Sequence, residues 1–162
     1  MTLNISVIGG SEVSPEICEV ATEVGRLLAR AGATVFCGGL LGVMECVSKG
    51  VREENGLVIG ILPGTRPEDG NKYLSAALPT GMGYARNFLV VRAGKVVIAI
   101  DGSVGTISEA SFALNEGKNV IEIGDMDFNP KKKYEPNFTR VKTPKEAVDL
   151  AIEIASKLER ST

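Results

Sequence analysis

Seven short apolar runs punctuate the chain, at 4–8, 33–37, 57–62, 76–79, 96–100, 119–123 and 138–141, and most of the intervals between them carry apolar residues at three- and four-residue steps. The runs read as strands and the stepped intervals as amphipathic helices. Ile17, Val20, Ala21, Val24, Leu27 and Leu28 make one apolar helical face, opened by Ser14 and Pro15 and closed by Gly32. Met44, Val47 and Val51 make a second, which stops near Gly56. Further helices are predicted from about Tyr84 to Ala93, after Gly105, and after the Thr143, Pro144, Glu146 start signal, where Ala147, Leu150, Ile154 and Leu158 share a face. The run at 96–100 is apolar throughout, as a parallel strand covered on both faces requires.

Strands alternating with helices at this spacing imply right-handed βαβ units. The fold class is therefore α/β: a single-domain, Rossmann-like, doubly wound sheet, mostly parallel, with six or seven strands and helices on both faces. In such sheets a ligand lies beyond the carboxyl ends of the strands, where strand order reverses. Three strands end there in glycine-rich turns: Gly9-Gly10-Ser11, Gly38-Gly39-Leu40-Leu41-Gly42 and Asp101-Gly102-Ser103-Val104-Gly105-Thr106. The segments 65–75 and 124–137 are polar and read as exposed loops.

Composition narrows the function. With 162 residues and 44% hydrophobic content, the chain suits one domain, 1–162. A net charge of −2 argues against a general polyanion binder, and the basic run 131–133 reads as a solvated loop. Histidine is absent, and Cys18, Cys37 and Cys46 lack metal-ligand spacing, so no metal site is expected. Three sparse thiols suit a reducing cytoplasm, and no run approaches the length of a membrane span. The expectation is a soluble, cytoplasmic protein with no nucleic-acid or membrane partner.

The third turn is a phosphate seat by construction. Gly102 and Gly105 allow close approach, and the first N–H groups of the following helix lack intrahelical acceptors. The same residues also fit a capping box, in which Thr106 and Glu109 satisfy the helix end without a ligand. The common nucleotide motifs are missing: there is no GxxxxGK[ST], no GxGxxG after the first strand, and Cys37-Gly38-Gly39 stands where an acidic residue would hold a ribose.

The segments GGLLGVMEC from Gly38, GMGYARN from Gly81 and DGSVGTISE from Asp101 resemble the signature segments of the Lonely Guy family, whose members also carry a lysine decarboxylase label. The resemblance is nearer to the small relatives that include molybdenum cofactor carrier proteins. It implies a phosphorylated ligand, a nucleoside monophosphate or the molybdenum cofactor, with its phosphate held by Gly102, Ser103, Gly105 and Thr106; Gly9, Gly10, Ser11, Gly38, Gly39, Gly42 and Asn87 are further candidate binding residues on the same edge. It implies Arg86 and Glu109 as the catalytic pair of a phosphoribohydrolase that cleaves an N-glycosidic bond. A carboxylate so placed can stabilise an oxocarbenium-like centre or activate water, and a guanidinium can hold phosphate or ribose oxygens. A structural ion pair between Arg86 and Glu109 is the alternative. The resemblance also implies a homo-oligomer, dimer or tetramer.

The chain departs from the hydrolase pattern. Asp101 stands in place of a proline, Ser103 in place of a glycine, Cys37 replaces the first glycine of its turn, Glu45 replaces another, and GYARN keeps only the arginine of its segment. Two functions stay open: phosphoribohydrolase activity, and a non-catalytic cofactor carrier or nucleotide sensor. A DNA-processing module of the same wider fold is a third, disfavoured by the net acidity. Decarboxylation has no identifiable Schiff-base lysine behind it.

Overall fold

In the computed structural model, residues 2–161 are described, and they form one seven-stranded sheet with every neighbouring pair parallel. The strands are β1 (Asn4–Gly9), β2 (Thr34–Cys37), β3 (Leu57–Leu62), β4 (Ala76–Pro79), β5 (Val96–Ile100), β6 (Asn119–Ile123) and β7 (Phe138–Val141). The helices are α1 (Pro15–Arg30), α2 (Val43–Glu53), α3 (Asn87–Ala93), α4 (Val104–Asn115) and α5 (Pro144–Arg160). Sheet order is β4-β3-β2-β1-β5-β6-β7. The chain therefore winds outward from β1 in one direction, returns to β5, and winds outward in the other. The switch point lies between β1 and β5, whose register pairs Gly9 with Ile100.

Side-chain alternation on the strands sorts the core into two layers. Val96, Ile98 and Ile100 of β5 pack with α1, α2 and α5, whereas Val97 and Ala99 pack with α3 and α4. All five residues are fully buried, which is why the run has no polar alternation. Ser6, fully buried on β1, is satisfied by donating to the Val90 carbonyl and accepting from the Gly94 N–H.

Helices α1 and α2 touch at glycines. A Cβ on Gly25 would stand 2.2 Å from the Val47 carbonyl oxygen, and one on Gly50 would stand 1.9 Å from that of Thr22. This close crossing puts Cys18 and Cys46 within bonding reach, and the two form a disulfide. The expectation of three separate thiols is thus corrected; a spacing of 28 residues carries no local signal for such a pair. No helix among the described residues is long and apolar enough to cross a membrane.

Two loop expectations also change. Segment 65–75 contains the 3₁₀ turn Pro67–Asp69, and within it Asn71 is almost buried rather than exposed. Segment 124–137 is anchored by fully buried Glu122, which accepts from the Met126 N–H at 2.6 Å and from Arg140 Nε at 2.5 Å.

Candidate functional site

Three βα turns converge on the switch point. Gly9 must lack a side chain because a Cβ there would lie 2.6 Å from both the Ile100 carbonyl and a Val43 methyl, so the ends of β1 and β5 and the start of α2 meet closely. Gly42, at φ +69°, closes the same contact, and the Val43 N–H donates to the Gly10 carbonyl. Between these turns opens a cleft of about 430 Å³, a size that suits a small ligand.

The cleft gathers most residues that the sequence put forward: Gly9, Gly10, Ser11, Gly38, Arg86, Asn87, Ser103, Gly105, Thr106 and Glu109. It does not gather three of them. Gly39, at φ +78°, packs against Leu62 and Gly60; Gly42 serves the backbone contact just described; Gly102 makes room for the Thr106 side chain, 2.4 Å from where its Cβ would be. Asp101 lies with Glu12 beside an adjoining depression instead of in the cleft, and it adopts φ +41°, a left-handed conformation unusual for a residue with a side chain.

Helix α4 begins at Val104, with Ser103 as a cap residue whose side chain makes no capping bond. This placement overturns the capping-box alternative: Thr106 is already the third helical residue and Glu109 lies in the second turn, too deep to cap. The N–H groups of Val104, Gly105 and Thr106 precede that of Ile107, the first to donate at the helix start, to the Ser103 carbonyl, and have no partner among the described residues. Helix α2 also starts without a side-chain cap. By contrast α1 and α5, away from the cleft, are capped by Ser14 and Thr143, each accepting at 3.2 Å from the N–H three residues on. The helices that border the cleft thus start without side-chain caps, and at α4 the first amides are left open.

Arg86 ends a 3₁₀ turn, Gly83–Arg86, and so does not sit within the α-helix that its segment predicts. Its side chain crosses over Gly38, whose Cβ would stand 2.8 Å from Nη2. Arg86 is 8% exposed, its Nε is buried without a partner, and the guanidinium makes neither a hydrogen bond nor an ion pair among the described residues. Burial pulls its pKa below the ordinary guanidinium value, with Glu109 acting in the opposite sense. Asn87 Oδ1 is likewise buried and unpaired.

Glu109 enters from α4 and does not reach ion-pair distance to Arg86, so the structural ion pair is not what these residues make. Burial pushes the Glu109 carboxyl up to about 7, with Arg86 across the cleft restraining the rise. A carboxyl that titrates near neutrality can both give and take a proton.

Four contributors were not among the candidate residues read from the sequence. Tyr84, Leu40 and Met44 line the cleft as ordinary apolar residues. Asn71 holds the second glycine-rich turn in place: its N–H donates to the Gly39 carbonyl at 2.8 Å, and its Nδ2 donates to the Leu40 carbonyl at 3.0 Å. Its position in a Gly- and Pro-containing polar stretch hid this role.

A parallel doubly wound sheet with an open, amide-rich switch point defines a Rossmann-like ligand-binding fold. Within that class the chain belongs to the SLOG cluster4 family, whose model matches residues 2–148. An uncharacterised protein of Archaeoglobus fulgidus is 41% identical over 122 residues, covering 75% of this chain and 80% of its own. The molybdenum cofactor binding protein of Rippkaea orientalis is similar in structure, with TM-score 0.84 at 30% identity over 95% of this chain and 98% of its own. A Moco carrier protein from Chlamydomonas reinhardtii gives 0.85 at 26%, over 97% and 99%.

The Lonely Guy resemblance appears as a rice (Oryza sativa subsp. japonica) protein named "Probable cytokinin riboside 5'-monophosphate phosphoribohydrolase LOGL9". It is 32% identical over 94 residues, which span 56% of this chain and 41% of that protein. DNA processing protein A of Helicobacter pylori, with TM-score 0.69 at 17% identity over 93% of this chain and 80% of its own, shares the fold alone.

Proposed function

We propose that the cleft binds a nucleoside monophosphate or a related phosphorylated cofactor, with the phosphate on the open amides of α4 and beside Arg86. The observation that carries this reading is Arg86 itself. A guanidinium that is almost buried and lacks any counter-charge within bonding distance costs several kcal/mol. An anionic ligand offsets that cost, and the uncapped α4 terminus beside it supplies further donors. Ser11, Ser103 and Thr106 place hydroxyls along the same wall.

Hydrolysis of the N-glycosidic bond is the activity that Glu109 supports. With the phosphate anchored, a carboxyl titrating near 7 is able to stabilise a developing ribosyl cation when ionised, or to move a proton to or from water. The test is incubation with a panel of nucleoside 5′-monophosphates while free base is measured. Release that Glu109→Gln abolishes supports the enzyme; tight binding without release from any substrate removes that label.

A non-catalytic carrier is the second reading, favoured by the likeness to the Rippkaea orientalis protein across nearly the whole of both chains. The residues fit the phosphate end of a molybdenum cofactor, because Arg86 and the α4 amides favour an anion and no carboxylate among the described residues reaches ion-pair distance of Arg86. The cofactor would bring its own redox centre. This chain's residues would hold the phosphate and shelter the ring. Protection of added cofactor from oxidation, lost in Arg86→Ala, tests it. Self-association as a dimer or tetramer belongs to the same proposal and is read by analytical ultracentrifugation.

A further inference from the structure

We infer that the cleft continues past Glu109 onto a shelf formed by Tyr84, Phe88 and Val104, and that this shelf seats a planar heteroaromatic ring carried by the phosphorylated ligand. The inference rests on the phosphate reading above and deepens it.

A second depression of about 420 Å³ shares Tyr84, Asn87, Gly105 and Glu109 with the main cleft, so the two adjoin along these residues. Helix α4 explains the shared boundary. Val104 and Ser108, four residues apart, face the shelf; Gly105 and Glu109, also four apart, mark the boundary; Thr106 faces the phosphate side. A Cβ on Gly105 would meet nothing within 4 Å, so no other segment covers the boundary at this residue.

The shelf is apolar and uncovered. Tyr84 is 91% exposed and Val104 83%, although Arg86 and Thr106, two residues away from each, are nearly buried. Phe88 is held from behind by Phe112, with ring centroids 4.3 Å apart, so the surface is presented on a fixed support. Asn87 stands at the junction with unused hydrogen-bonding capacity. An aromatic face beside a polar amide and bordering the anion seat matches a ligand with a phosphate at one end and a flat, hydrogen-bonding ring at the other.

The experiment compares AMP with ribose 5-phosphate by isothermal titration calorimetry on wild type, Tyr84→Ala and Tyr84→Phe. Wild type should bind AMP about ten-fold more tightly than ribose 5-phosphate, the scale of one base–aromatic stack. Tyr84→Ala should bring the AMP to ribose 5-phosphate affinity ratio down to about one, while Tyr84→Phe keeps it near ten. Equal wild-type affinity for the two ligands, or an advantage that survives Tyr84→Ala, overturns the shelf and spares the phosphate site. Binding of neither ligand overturns both. Light scattering on the same samples separates the competing use of this surface: a mass that falls in Tyr84→Ala, with the ligand preference intact, makes it a self-association face and overturns the inference.

Discussion

The Cβ that Gly38 lacks would lie 2.8 Å from Nη2 of Arg86, so the guanidinium occupies room that only glycine leaves. The crowded atoms are the far ends of two flexible side chains, Arg86 and Met44, and backbone is not involved. Gly38→Ala should therefore keep the melting temperature within about 3 °C of wild type while lowering AMP affinity about ten-fold. Calorimetric titration beside a thermal melt reads both; unchanged affinity would show that Arg86 does not need this position.

Glu109 makes stability depend on pH in a definite direction. Its carboxyl holds a proton up to about 7 in the folded protein, and an unfolded chain releases it near 4.5. A folded-state pKa above the unfolded one makes the folded state the better proton binder between those values. Stability contributed by this group is thus present at low pH, falls as pH rises from 4.5 through 7, and then levels. Glu109→Gln should flatten that fall and raise the melting temperature at pH 8. Melts from pH 5 to 9 on both proteins test this, and parallel curves would contradict it.

The disulfide joins α1 to α2 around a 28-residue separation. A loop of that size is worth about 3.6 kcal/mol by restriction of the unfolded chain. Reduction with a dithiol, or the paired change Cys18→Ala with Cys46→Ala, should lower thermal stability by about that amount. The circular dichroism spectrum should stay native, because Gly25 and Gly50 already lock the two helices. Equal melting temperatures in oxidised and reduced samples would remove the bond from the account.

Asn71 ties the 65–75 segment to the turn beneath the cleft. Asn71→Ala leaves the Leu40 carbonyl without its side-chain donor, at a cost of about 1–2 kcal/mol. Affinity for AMP should fall with it, and urea denaturation with titration measures both. A stability loss with affinity untouched would confine Asn71 to the scaffold.

Much of this was legible in advance because the fold speaks through periodicity. Apolar runs at 57–62, 76–79, 96–100, 119–123 and 138–141 became β3 to β7 with the same limits, and the glycine-rich ends placed the switch point. What stayed hidden depends on contacts between distant segments. The Cys18 to Cys46 bond follows from a helix crossing set by two glycines. The start of α4 at Val104 comes after a turn through Asp101, just beyond β5, at φ +41°, which a string of small residues does not reveal. Arg86 and Glu109 could be placed on one edge by topology alone, but their separation, which decides between an ion pair and two groups waiting for a ligand, needed coordinates.

The most direct measurement is calorimetric titration of AMP into wild type and Arg86→Met, with a thermal melt of each ligand-free protein. If Arg86 is a buried charge awaiting an anion, wild type binds saturably, the variant loses at least 100-fold in affinity, and its ligand-free melting temperature equals or exceeds that of wild type. A variant that keeps wild-type affinity, or that melts well below wild type without ligand, would contradict the account.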